Sequence, residues 1–134
     1  MQSQIEAKRE ELNKLSYIIL GAAIAVHREM GPGLLESVYQ HCMTKELRAK
    51  NISISQGVAV PLCYKGEQLD KDYVIDLLVE NEIIVELKAV EGILPVHEAQ
   101  IISYLKLANK KLGFLINFNV PIIKTGFKRF VNGF

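Results

Sequence analysis

Hydrophobic and polar positions in the first third of the chain repeat with the period of an α-helix. Apolar residues recur three and four positions apart and predict a helix over residues 3–30, a stretch without proline. A Gly-Pro-Gly motif at 31–33 must end this helix, because proline restricts the residue before it and glycine loosens the turn. A second apolar stripe then predicts a helix over residues 34–50.

The pattern changes after Asn51, where β-branched and other apolar residues become frequent. Five segments of this kind predict β-strands, at residues 52–64, 73–79, 83–88, 114–118 and 127–131. Helical spacing returns only at 95–109, between the third and fourth strands. The second and third strands are largely apolar on both faces, so we expect them in the middle of a covered sheet. This order predicts an α/β (α+β) fold, a mixed sheet covered by helices on both faces.

The composition is that of a folded domain of 134 residues, of which 49% are hydrophobic and 23% charged. It predicts one domain over 1–134, with the helix of residues 1–30 packed on the core or extending from it. Two cysteines, Cys42 and Cys63, are too few for a disulfide framework or a thiolate zinc site. No secretory leader is apparent, and the longest apolar run is shorter than the roughly 20 residues of a membrane span. We therefore expect a cytoplasmic protein with no membrane partner.

The net charge of +1 conceals two unlike parts. After Glu98 the chain has six basic residues and no acidic one, so residues 99–134 carry +6, whereas the first 98 residues carry −5. Such asymmetry is typical of polyanion binding, although surface lysines that happen to fall late in the chain explain it equally well. On the first interpretation, nucleic acid is held by basic residues of this segment, among them Lys110, Lys111, Lys128 and Arg129.

Charged residues interrupt two strands that are otherwise apolar. Asp76 lies in the second strand, and Glu86 and Lys88 lie in the third. Because a buried carboxylate loses its hydration, it must be paired or must bind a cation. Side chains alternate along a strand, so Glu86 and Lys88 share one face of the sheet.

The loop between these strands decides whether Asp76 joins them. A three-residue loop at 80–82 places Asp76 opposite Glu86, whereas a two-residue loop places it opposite Val85. Asn81 tolerates the left-handed conformation that such loops use. The shared-face hypothesis therefore requires the three-residue loop.

With that register, two carboxylates and an ammonium group converge on one patch. Oxygen ligands of this kind suit Mg²⁺ or Mn²⁺. Such an ion activates a bound water and neutralises charge on a phosphodiester, while Lys88 orients the nucleophile or stabilises the developing anion. The alternative is a buried ion pair between Lys88 and one of the acids.

Two helices carry further candidates. Gln100 and Tyr104 are four residues apart and share one helix face, with His97 one turn earlier. Their alternative roles are a solvated glutamine and a core tyrosine. Glu36 falls in the first turn of the second helix, where an acidic residue interacts favourably with the helix dipole.

Taken together, these residues resemble a known pattern. Asp76, then Glu86-Leu-Lys88, then Gln100-Ile-Ile-Ser-Tyr104 are similar to the D…(D/E)-x-K…Q-x-x-x-Y motif of the PD-(D/E)xK nuclease superfamily. The segment Gly33-Leu-Leu-Glu36-Ser-Val-Tyr39 resembles the signature of the GxxExxY protein family within it. The resemblance extends from about residue 18 to residue 132.

This resemblance implies a restriction-endonuclease-like three-layer sandwich. It assigns Asp76 and Glu86 as metal ligands and Lys88 as the catalytic lysine. Glu36, on the first core helix, would reach the metal directly or through water. Gln100 and Tyr104, which share a face of the third predicted helix, would support the site or contact the phosphate. The proline of the superfamily name is replaced by Ile75.

The resulting hypothesis is a divalent-metal-dependent nuclease that cleaves phosphodiesters, with DNA favoured over RNA. The competing hypothesis is a non-catalytic nucleic-acid-binding or regulatory module, alone or as a subunit of a larger assembly. An exposed apolar side on the long first helix would favour a homodimer. Other enzyme classes lack support, because the chain has neither a Gly-x-Ser-x-Gly elbow nor a P-loop.

Overall fold

All of residues 1–134 are described by the structure, a computed structural model, and they form three α-helices, one short 3₁₀ turn and five strands. The elements in chain order are α1 (Gln2–Met30), α2 (Glu36–Arg48), β1 (Ile54–Tyr64), β2 (Glu67–Val79), β3 (Ile83–Lys88), α3 (Pro95–Leu107), β4 (Leu112–Asn117), the 3₁₀ turn (Ile123–Gly126) and β5 (Phe127–Val131). Every predicted helix and strand is present. The largest difference is β2, which begins six residues before the predicted strand because residues 67–72 are exposed and, apart from Leu69, polar, and gave no apolar pattern.

The strands form one mixed sheet in the order β1-β2-β3-β4-β5. Only β3 and β4 are parallel, and α3 makes the crossover between them. Helices α1 and α2 pack on one face over the larger core, and α3 packs on the other face over a smaller one. The predicted sandwich with helices on both faces is therefore confirmed.

Helix α1 combines a buried half with an exposed one. Its buried residues recur at helical spacing from Leu12 to Val26 and belong to the larger core, whereas residues 1–11 are exposed. The exposed half is tied to the loop between β2 and β3 by an ion pair between Lys8 and Glu82. None of the helices is both long and apolar enough to cross a membrane.

The β2–β3 connection has the three-residue loop that the shared-face hypothesis requires. Val79 pairs with Ile83, and the amide of Glu82 donates to the carbonyl of Val79 (2.9 Å). Asn81 has the expected left-handed backbone (φ 55°), and so does Glu80 (φ 51°). This register brings Asp76 to the level of Glu86.

The 3₁₀ turn before β5 packs so closely on β4 that position 126 accommodates only glycine. A Cβ atom on Gly126 would lie 2.2 Å from the backbone oxygen of Asn117. We predict that Gly126→Ala lowers the free energy of unfolding by about 1–3 kcal/mol, because backbone must shift to relieve the overlap. Urea denaturation would measure this change in the free energy of unfolding.

Gly92 supplies the matched control, since a Cβ atom there meets nothing within 4 Å. Gly92→Ala is expected to change stability by no more than about 0.5 kcal/mol. Equal unfolding midpoints for the two variants would contradict the prediction.

Candidate active site

Strand β2 separates from β3 at Asp76, and side chains take over the hydrogen bonds there. The paired ladder ends at Leu77 and Val85. Beyond it, the carboxylate of Asp76 accepts a hydrogen bond from the amide of Leu87 (2.8 Å), and the amide of Asp76 donates to the carboxylate of Glu86 (3.4 Å). Side chains thus satisfy backbone groups that a regular ladder would pair.

The other neighbours of Asp76 are also irregular. Its carbonyl accepts a hydrogen bond from the Gln40 amide of α2 (3.3 Å). On the opposite side, Gly57 of β1 interrupts the pairing with a left-handed backbone (φ 59°). Ile75 and Leu78 both pack into the smaller core under α3, here called the α3-side core. Residues three apart in a regular strand would point to opposite faces. The strand therefore bends at Asp76, and the outer part of the β1–β2 hairpin turns toward α3.

The carboxyl group of Glu86 is buried with too few partners. Glu86 is only 6% exposed and lies on the α3 face of β3, and its Oε1 atom has no hydrogen-bond partner. Burial, followed by the adjacent Asp76 carboxyl, raises the pKa of Glu86 to about 10. At neutral pH this carboxyl therefore holds a proton unless a cation replaces it.

Lys88 lies near these acids without pairing with either. Its charge favours the ionised form of Glu86, which shows their proximity, but its ammonium forms no hydrogen bond or salt bridge. The buried ion pair considered as an alternative is therefore not observed. A half-buried ammonium without a partner is left available for an anionic ligand.

These residues fit a divalent cation. The orphaned Glu86 oxygen and the neighbouring Asp76 carboxylate supply hard oxygen ligands, and a bound cation would remove the reason for the raised pKa of Glu86. However, no three His, Cys, Asp or Glu side chains come close enough to hold a metal ion together. Glu36 is exposed at the start of α2 and does not complete a three-carboxylate set with Asp76 and Glu86, so its role as a ligand stays a prediction.

The motif around Glu36 has a structural part. The Tyr39 hydroxyl donates to the carbonyl of Gly31 (2.6 Å) and accepts from the amide of Leu34 (3.1 Å). Its buried ring stacks on Phe118, with ring centroids 4.3 Å apart. Tyr39 therefore closes the turn between α1 and α2 and determines where Glu36 begins the second helix.

Helix α3 brings Tyr104 to the carboxylates. Burial, then the charges of Glu86 and Asp76, raise the pKa of Tyr104, which places its hydroxyl in their electrostatic field. Gln100 is half-buried one turn earlier, and its side chain forms no hydrogen bond within the protein. His97, by contrast, accepts a hydrogen bond from the amide of Leu94 (3.0 Å) and so has a structural role at the helix start.

Two residues beside the site escaped the sequence motifs. Tyr73 of β2 packs its ring on Tyr104, with centroids 5.0 Å apart. Asn117, the β4 partner of Lys88, is 3% exposed and hydrogen-bonds both backbone groups of Val90, so it holds the chain that leaves β3. The sequence signal for Tyr73 was its position in the same strand as Asp76, three residues before it. No signal in the sequence set Asn117 apart from the rest of its strand.

The four predicted nucleic-acid-binding cations do not form one surface. Lys128 is two strands from Glu86, in the same cross-strand row, and pairs with Glu98 of α3 (2.8 Å). Arg129 pairs with Phe114 of the α1-side core and therefore faces the opposite way. The pair Lys110 and Lys111 precedes β4, at the end of the β3–β4 ladder that is remote from Lys88.

Comparison with known proteins gives one result. A family model described as the PD-(D/E)XK nuclease superfamily matches residues 13–130, which is most of the chain. No curated protein and no solved structure gives a significant match. The match is to the superfamily, and the narrower GxxExxY assignment stays a prediction.

The raised pKa of Glu86 predicts how the metal-free protein responds to pH. In the unfolded chain this carboxyl ionises near its ordinary pKa of 4.5, whereas in the fold it keeps its proton to about pH 10. The contribution of Glu86 to stability is therefore complete below pH 4.5 and declines as pH rises toward 10. Glu86→Gln mimics the protonated form and should raise the free energy of unfolding at pH 8 in EDTA by at least about 1 kcal/mol.

Urea denaturation at pH 5 and pH 8 would measure this effect. Glu67→Gln is the control, because Glu67 is an exposed residue at the start of β2 and should leave the pH dependence unchanged. A Glu86→Gln variant that loses stability with pH as steeply as the parent would show that Glu86 ionises normally.

Proposed function

The chain belongs to the PD-(D/E)XK nuclease superfamily, and on that premise we propose that it is a divalent-metal-dependent nuclease that hydrolyses phosphodiester bonds. The observation that carries the proposal is the orphaned, buried Glu86 oxygen beside Asp76, with an unpaired ammonium close by. A purely structural charge cluster would pair its lysine with its acids. Here the acids lack a cation and the lysine lacks an anion.

We propose Asp76 and Glu86 as the residues that hold Mg²⁺ or Mn²⁺. When bound, the ion would neutralise charge on the phosphodiester and lower the pKa of a water nucleophile. Glu86 must release its proton to take this role. Lys88 then donates hydrogen bonds to the phosphate or to the attacking oxygen, because no group of the protein competes for its ammonium.

The remaining candidates have supporting roles in this proposal. Glu36 acts through water, since it is exposed and lies outside any three-carboxylate cluster. Gln100 and Tyr104 line the site from α3, where their free polar atoms contact the phosphate or orient its neighbours. The preference for DNA over RNA, self-association through α1, and a cytoplasmic location stay predictions from the sequence.

Among the predicted cations, we propose that Lys128 alone contacts a substrate held at the carboxylates. Two strand spacings separate its backbone from that of Glu86, about 10 Å. The Leu115 between them belongs to the α3-side core, as does the neighbouring Phe130 of β5, so Lys128 lies on the face of the site. The side chain of Arg129 instead covers the Phe134 ring.

Nuclease activity is tested with purified protein on single-stranded, duplex and hairpin DNA and RNA, with Mg²⁺, Mn²⁺ or EDTA. We expect cleavage that requires the metal, and a loss of at least about 100-fold in Lys88→Ala, Asp76→Asn and Glu86→Gln. Glu67→Gln, a charge-neutralising change on the exposed hairpin, should cleave like the parent. Absence of metal-dependent cleavage, or full activity in Lys88→Ala, would leave the binding-module hypothesis in its place.

The placement of the cations predicts a second, separate result. Lys128→Ala should weaken nucleic-acid binding and reduce the slope of log K against log salt by about 1, because one phosphate contact is lost. A combined Lys110→Ala, Lys111→Ala and Arg129→Ala variant removes three charges and should change the slope less. Fluorescence anisotropy over a salt series measures both. A larger effect of the triple variant would mean that the substrate crosses the other end or face of the sheet.

A further inference from the structure

Two tyrosine rings form an edge of the candidate active site. Tyr73, three residues before Asp76 in β2, lies against Tyr104 of α3 with ring planes inclined by 59°. This tilted arrangement is a favourable aromatic geometry. Tyr73 precedes Asp76 by three residues in β2, and the charges of Glu86 and Asp76 help to raise the pKa of Tyr104, so the tyrosine pair lies on the side of the carboxylates.

The core does not account for Tyr73. Residues 67–74 of β2 are all exposed, and Tyr73 itself is 38% exposed. Neither tyrosine hydroxyl forms a hydrogen bond within the protein; the tyrosine hydroxyl that does so is that of Tyr39. Tyr73 thus presents an aromatic surface to solvent, held in place on one side by a half-buried ring.

The charges around this ring are poorly suited to a phosphate backbone. Asp72, directly before Tyr73, faces the other side of β2, and the acids near the ring are the two site carboxylates. Electrostatic attraction therefore contributes little at this position. A nucleic acid that passes here is held better by its bases, since every base has a face that can stack on an aromatic ring.

We propose that Tyr73 is a stacking platform for an unpaired nucleobase next to the scissile phosphate, and that the site accordingly takes single-stranded nucleic acid. The inference rests on the proposed nuclease function and specifies its substrate class. In a duplex the bases stack on each other and offer no free face. To reach Tyr73, a duplex base would have to be unstacked and unpaired, which is unfavourable.

The test measures stacking without cleavage. In a Lys88→Ala background with Mg²⁺, single-stranded oligonucleotides and hairpin duplexes that contain 2-aminopurine report binding and base stacking by fluorescence. Tyr73→Leu should bind the single strand about tenfold more weakly and lose the 2-aminopurine quenching. Tyr73→Phe keeps the ring and should bind within about twofold of the parent.

Tyr64→Leu is the matched control, because Tyr64 is an exposed tyrosine (57%) near the tip of the same hairpin. It should leave binding unchanged. Equal affinity of Tyr73→Leu and its parent for the single strand would overturn the inference, and so would an equal loss in Tyr64→Leu.

Cleavage by the protein with Lys88 intact separates this inference from the proposed function. Metal-dependent cleavage without any effect of Tyr73→Leu overturns the stacking platform and leaves the nuclease proposal standing. Binding that depends on the Tyr73 ring, in a protein that cleaves nothing, supports the platform and overturns the nuclease. A protein that neither binds nor cleaves nucleic acid overturns both.

Discussion

The exchange of hydrogen bonds between Asp76 and β3 is the interaction on which the candidate site depends. Where β2 separates from β3, the Asp76 carboxylate replaces a backbone acceptor for Leu87, and the Glu86 carboxylate replaces one for Asp76. The bend that results carries the outer hairpin toward α3. The same two side chains that end the ladder are the ones we propose as oxygen ligands, so the local fold and the proposed chemistry depend on the same hydrogen bonds.

Burial gives these acids their functional character. A solvated pair would ionise and repel, whereas Glu86 in its apolar surroundings keeps a proton and leaves one oxygen without a partner. A cation would supply the missing partner in place of the proton, which links metal binding to proton release and to stability. Lys88 completes the arrangement because Asn117 holds the chain that follows it, and its ammonium remains free.

The face of the sheet on which a residue lies, and not its order along the chain, determines which residues surround the site. Lys128 and Arg129 are adjacent in sequence, yet they lie on opposite faces of β5. Tyr73 and Tyr104 are far apart in sequence, yet their rings touch. The six positive charges of residues 99–134 therefore do not form one positive surface. The β1–β2 hairpin, which carries several acidic residues, contributes the aromatic surface of Tyr73.

The sequence by itself determined the helices, most of each strand and the mixed sheet. These follow from local rules: helical and strand periodicity and a proline-glycine break. For Asp76 the sequence left two alignments open, and the observed pairing of Val79 with Ile83 decided for Glu86. Only the tertiary structure decided that Lys88 has no ion pair, that Glu36 lies outside the carboxylate pair, and that Tyr73 meets Tyr104. It also extended β2 through exposed residues, because pairing with β1 rather than burial holds them in the strand. Distances between separate elements depend on how their cores pack, and periodicity along one chain segment carries no information about them.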